Sequence, residues 1–188
     1  PEPHELKNLP RPILGYMGTI SDRLDRRLFE GLARRFPKAS VVIIGPVHGS
    51  FGPVVEAPNL HYLGLRPPSA LAAYAARFDV ALMPFAQTEA ARAINPVKTL
   101  EYLAAGCRVV STPIPDVERF FSDVVEIGEA VEPFLDVVAR LLEEDRGARE
   151  ARIRRGVDRA RDRSWAAMCR EMEEKIRELE FTRGTGSR

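Results

Sequence analysis

Histidine and cysteine are scarce in this chain. The three histidines, His4, His48 and His61, show no ligand spacing, and the two cysteines, Cys107 and Cys169, lie far apart in different kinds of element. Such a pattern argues against a metal site and against a disulfide framework. Both thiols are expected to be reduced and in the core, as in a cytoplasmic protein. No apolar run reaches the length of a membrane span, and no secretory signal pattern is read at the start. An excess of one charge is also lacking. The formal net charge is +1, so nothing in it points to nucleic acid.

Several motifs are missing as well. The dinucleotide fingerprint G-x-G-x-x-G needs a strand before it and a helix after it. "GYMGTI" has only Gly15 and Gly18, and "GPVHGSFG" is followed by "PVVEAPNL", which is no helix. There is no Walker A motif, and Ser50, Ser69 and Ser111 sit in no G-x-S-x-G elbow. A classical NAD enzyme, a P-loop NTPase and a serine hydrolase are set aside on these grounds.

What is present is enough for one domain with its own core: 188 residues, 45% of them apolar. Buried strands are predicted at 12–18, 40–46, 60–64, 79–85, 107–112 and 123–128. Helices are predicted between them. Leu24, Leu28, Leu32 and Phe36 share one helical face, with Ser21 or Asp22 near the cap. "DVERFF" reads as a turn or two, "VEPFLDVVARLLEED" as a helix, and 147–181 as largely helical. Strands alternating with helices imply a mostly parallel sheet. The expected fold is therefore α/β: a Rossmann-like, doubly wound parallel sheet of about six strands.

Ligands of such sheets bind outside the carboxyl ends of the strands, where the strand order switches. Three segments stand there: "GTIS", "GLRP" and the long "FAQTEAARAINP". The last runs into the helix "NPVKTLEYLAAG", with Asn95 as N-cap and Pro96 in the first helical position. A helix start offers free backbone N–H groups and about half a positive charge, which attract phosphate. Asn95, Pro96, Val97, Lys98 and Thr99 make up this start. Lys98 adds a cation. Glu101 follows about 4.5 Å along the axis, so both can face one ligand. Its two acceptor oxygens match the vicinal diol of a ribose. The other reading is a surface ion pair between Lys98 and Glu101. Gly18 has two readings too, a tight turn or a close approach by phosphate. Arg66 and Arg92 are either phosphate ligands or free surface arginines, and His48 reads as a surface histidine.

The blocks "RPILGYMGTISDRLDRRLFEGLARRFP", "VVIIGP", "NLHYLGLRPPSALAAYAARFDVALMPF" and "INPVKTLEYLAAGCRVVSTPIP" resemble the C-terminal half of GT-B glycosyltransferases. The family is the large retaining nucleotide-sugar one, glycosyl transferases group 1 or family 4 type. The bacterial subgroup with "NPVK…EYLAAG" is the most similar. The resemblance covers roughly 11–145, and "SW" in the final helix fits it.

The resemblance implies a domain that binds a nucleotide-diphosphate sugar as donor substrate, with no metal and no separate cofactor. Glu101 would hold the ribose, Gly18 and Thr19 would border the diphosphate, and Leu65 and Arg66 would line the base with their backbone. Lys98 and Glu101 would be the catalytic pair, with Arg92 adding charge. Two departures are evident. The first of the family's two glutamates, eight positions apart, falls on Ala93, and Thr19 stands where an arginine often follows the glycine.

The implied organisation is 1–10 as a linker remnant, 11–181 as the donor-binding domain with its long C-terminal helix, and 182–188 as a disordered tail. An acceptor-binding N-terminal domain of the same protein is expected, and the isolated domain is expected to be inactive without it. The full enzyme would make glycans or polysaccharides in the cytoplasm, or at the inner face of the membrane through peripheral association. A nucleotide-sugar epimerase of the same fold and a non-catalytic nucleotide-binding module are the alternatives.

The stretch "ARIRRGVDRARDR" reads as a solvated helix face. Trp165, Met168, Met172, Ile176 and Leu179 form an apolar stripe. It is expected either to make a homodimer through this helix or to fold back on the sheet.

Overall fold

A computed structural model describes residues 3–49, 56–92, 97–163, 167, 169–170 and 172–177. Six parallel strands form one sheet: β1 (Ile13–Met17), β2 (Ser40–Ile44), β3 (Leu60–Gly64), β4 (Val80–Met83), β5 (Arg108–Ser111) and β6 (Val125–Ile127). Their order is β3-β2-β1-β4-β5-β6. All six lie inside the spans expected from the apolar runs. β1 and β2 are buried at every residue, which is why they read as continuous apolar segments. β3 is an edge strand and only half-buried.

The helices are α1 (Arg26–Arg35), α2 (Pro68–Ala75), α3 (Glu89–Arg92), α4 (Val97–Ala104), α5 (Pro115–Phe121), α6 (Val131–Glu143) and α7 (Arg146–Asp162). The chain winds from β1 through α1 to β2 in one direction, and from β4 through α4 to β5 in the other. Right-handed crossovers then put α1 and α4 on opposite faces. α1 packs with α6, and α4 with α7. This is the doubly wound, Rossmann-like architecture expected.

Three local expectations need correction. The cap of α1 is Asp25, not Ser21 or Asp22. Its carboxylate accepts from the Arg27 N–H at 3.0 Å. Leu24 precedes the helix because it bridges to Phe85 instead. The segment "FAQTEAARAINP" after β4, expected to be a loop leading into the next helix, contains α3. Cys169 is exposed, so only Cys107 is a core thiol. Burial, with Asp79 nearby, pushes the Cys107 thiol up to about 12.

The described residues 3–10 pack on the domain. Leu6 is buried in the core, and Leu9 packs against it. Glu5 pairs with Arg66 at 2.9 Å and accepts from the Tyr74 hydroxyl at 3.0 Å.

α7 is braced by a partly buried ionic network. Arg108 donates to the Asp79 and Leu141 carbonyls and lies 3.5 Å from the Glu144 carboxylate. Arg152 reaches Glu144 and Glu126, each at 2.7 Å, and Arg149 reaches Asp79 at 3.2 Å. Leu103 of α4 packs over Gly156 of α7. The site-bearing helix thus has a rigid backing.

Beyond α7 and its cap at Arg163, residues 167, 169–170 and 172–177 are helical. Met172 and Ile176 are 56% and 55% exposed, so these two are not folded back on the sheet. Trp165, Met168 and Leu179 of the same stripe lie outside the described residues.

Candidate functional site

The order of the sheet places its switch point between β1 and β4. A cleft of about 540 Å³ opens at the carboxyl ends of the strands there. It is lined by residues after β1, residues after β2, the end of β4, and Lys98 from α4. Such a crevice is the standard ligand position in open parallel sheets.

Backbone pairing fixes the walls. Gly18 N–H donates to the Ile44 carbonyl at 2.8 Å, and Ile20 N–H to the Pro46 carbonyl at 2.9 Å. His48 N–H donates back to the Ile20 carbonyl at 2.8 Å. The loops after β1 and β2 are therefore zipped together beyond the sheet. On the other side Asp25 N–H donates to the Pro84 carbonyl at 2.8 Å, and Ala86 N–H to the Arg23 carbonyl at 2.7 Å. Gly45 is required at the zip, because a Cβ there would collide with the Gly18 carbonyl oxygen.

α4 is seated by its inner face. The Tyr102 hydroxyl accepts from the Met17 N–H at 2.7 Å and donates to the Met17 carbonyl at 3.3 Å. Burial raises this phenol well above its ordinary value, so it stays protonated. The Thr99 hydroxyl donates to the Met83 sulfur at 3.2 Å. With Thr99, Tyr102 and Leu103 turned inward, Lys98 is left to project into the cleft.

Lys98 lies over Gly18. A Cβ on Gly18 would stand 2.5 Å from Lys98 Cε and 2.7 Å from the Tyr16 hydroxyl. Tyr16 is buried, and its hydroxyl donates to the Thr19 carbonyl at 2.9 Å. Gly18, Thr19 and Lys98, named from the sequence, are thus brought together at one wall of the cleft.

The other named residues are placed differently. Glu101 stands one turn along α4, exposed, with Oε2 3.8 Å from Lys98 Nζ. Val97 is exposed at the start of α4. The Thr99 side chain faces the core, not the cleft. Leu65 and Arg66 follow β3, two strands away from β1. The Arg66 guanidinium is not a free surface group, since it donates to Tyr74 at 3.0 Å and to Glu5 at 2.9 Å. The Glu5 carboxyl is held below its ordinary value by its own backbone N–H, then by Tyr74 and Arg66. Arg92 ends α3. Asn95 and Pro96, with Ala93, lie outside the described residues.

His48, read from the sequence as a plain surface histidine, lines the cleft. So do Asp22, Arg23 and Met83, which the sequence reading did not assign to a site, and Phe85, which opens the segment expected there. Among the described residues no cluster of His, Cys, Asp or Glu could hold a metal ion. None of the described helices is long and apolar enough to cross a membrane.

Comparison with known proteins supplies independent findings. A family described as glycosyl transferase-like matches residues 21–174. A Bacillus subtilis (strain 168) protein, provisionally named a teichuronic acid biosynthesis glycosyltransferase, is 28% identical over 167 residues. That alignment spans 85% of this chain and 42% of the relative. Sucrose-phosphate synthase from Thermosynechococcus elongatus superposes with a TM-score of 0.72 and 16% identity, over 93% of this chain and 47% of its own. The Anabaena protein HepE, solved with UDP and glucose, superposes with a TM-score of 0.68 and 14% identity, over 88% and 48%. At such identities the two superpositions show a shared fold. The chain spans less than half the length of each of these proteins.

Proposed function

The chain belongs to the glycosyl transferase-like family, and on that premise we propose that its cleft binds the nucleotide-diphosphate sugar donor of a retaining glycosyltransferase. The observation that carries this is the position of Lys98. It reaches from the first turn of α4 over Gly18, at the switch point of the sheet. A cation, a glycine backbone and a helix start converge where a diphosphate would sit. Glu101, one turn on, is the acceptor for the ribose hydroxyls.

The chemistry this arrangement serves is departure of the diphosphate. Negative charge grows on the leaving group as the sugar–oxygen bond breaks. Lys98 and the N–H groups of α4 are fixed before the reaction, so they stabilise that charge with little reorganisation. The acceptor, with the groups that touch its reacting hydroxyl, belongs to a further domain in this proposal. The relative's name points to teichuronic acid biosynthesis as a comparable setting, and the UDP bound to HepE makes uridine nucleotides the first ligands to try.

A thermal-shift panel of UDP, GDP, ADP and dTDP tests the reading, because a ligand that binds only the folded state raises its melting temperature. At least one diphosphate should raise it more than the matching nucleoside does. A panel without any shift would oppose the proposal.

A further inference from the structure

The turn Ser21–Leu24 is held more firmly than a surface turn needs to be. Leu24 N–H donates to the Ser21 carbonyl at 3.0 Å, which closes the turn. Ile20 and Leu24, on either side of its tip, are buried in the core. Ile20 is bridged to Val47 after β2, and Leu24 to Phe85 after β4. The tip itself, Asp22 and Arg23, is exposed to solvent. Asp22 lines the cleft, and among the described residues its carboxylate has no hydrogen-bond or ion-pair partner.

Asp22 is also the single carboxylate among the described residues that line this cleft, where Arg23, His48 and Lys98 are the basic ones. An ionised carboxylate only accepts hydrogen bonds, and it repels phosphate. It suits a part of the ligand that carries many donors and no negative charge. Sugar hydroxyls fit that description, and a carboxylate can take two at once.

We propose that Asp22 is a specificity-determining residue that accepts hydrogen bonds from hydroxyls of the donor sugar. The Ser21–Leu24 turn is then the sugar end of the cleft, and Gly18 with Lys98 is the diphosphate end. This rests on the nucleotide-sugar reading above and deepens it. It assigns the donor to neutral sugars with free neighbouring hydroxyls. A uronate or a sugar phosphate would set a second anion against Asp22.

Calorimetric titration of the 188-residue chain tests this, with Asp22→Asn and Asp22→Ala beside the wild type. The ligands are UDP, GDP, ADP and dTDP, UDP-glucose, UDP-N-acetylglucosamine, GDP-mannose, ADP-glucose and dTDP-glucose, and UDP-glucuronate. For the pair that the wild type binds, both variants should weaken the nucleotide sugar by about tenfold or more. Binding of the bare diphosphate should be unchanged or stronger, since a repelling charge has gone. UDP-glucuronate should gain relative to UDP-glucose in the variants. Equal losses for diphosphate and nucleotide sugar would overturn the role of Asp22 while leaving the nucleotide site standing. So would wild-type preference for the uronate. If the wild type binds none of these ligands, the underlying reading fails and this inference fails with it.

Discussion

Lys98 Nζ and Glu101 Oε2 stand 3.8 Å apart across one turn of α4, with side chains 33% and 51% exposed. A pair so long and so open to water contributes only a few tenths of a kcal/mol to the helix. Stability alone therefore gives neither residue a reason to be there. Glu101→Gln keeps the size and removes the charge. It should leave the melting temperature nearly unchanged and weaken nucleotide binding by about 1–3 kcal/mol, as for a lost bond to a charged group. Calorimetry beside a thermal melt checks it. Unchanged affinity with a lower melting temperature would favour the plain ion pair.

Tyr102 holds α4 onto β1 through both backbone groups of Met17. Tyr102→Phe keeps the ring and strands a buried N–H. Such a group costs about 1–3 kcal/mol. Urea denaturation should show a loss of that size, and nucleotide affinity should fall with it because Lys98 rides on the same helix. A variant as stable as the wild type would show that the hydroxyl is dispensable to the seat.

Asp25 caps α1 and pairs with Arg27 at 2.7 Å. The side-chain hydrogen bond from Arg27 holds its carboxyl below the ordinary value of 3.8. A carboxyl depressed in the folded state stabilises the fold above the unfolded value, and the benefit is lost as pH falls through the native value. Asp25→Ala should cost about 1 kcal/mol at neutral pH, as for other lost caps. The gap to the wild type should close in acid, below pH 3.8. A gap that is constant between pH 7 and pH 3 would contradict the assignment.

The sheet was legible because it is buried on both faces. "ILGYM" and "SVVII" admit little but a central parallel strand. The helix bearing Lys98 was equally plain from the apolar positions that became Tyr102 and Leu103. Asp22 was not legible. A Ser-Asp pair before an apolar repeat has the form of a helix cap, and only the Leu24–Phe85 bridge, between residues 61 positions apart, delays the helix to Arg26. His48 gave no periodic signal, and its place at the cleft depends on the pairing of Ile20 with Val47. Arg66 could be read as a phosphate ligand or as a free arginine because Glu5, the group that engages it, is far away in the chain.

The central claim is that Lys98 and the start of α4 hold a diphosphate, and calorimetric titration of wild type and Lys98→Ala tests it most directly. The ligands are a nucleoside diphosphate that shifts the wild type's melting temperature and its parent nucleoside. The account predicts a loss of about tenfold or more for the diphosphate, with nucleoside binding unaltered. Equal losses for both ligands, or full diphosphate affinity in the variant, would contradict it.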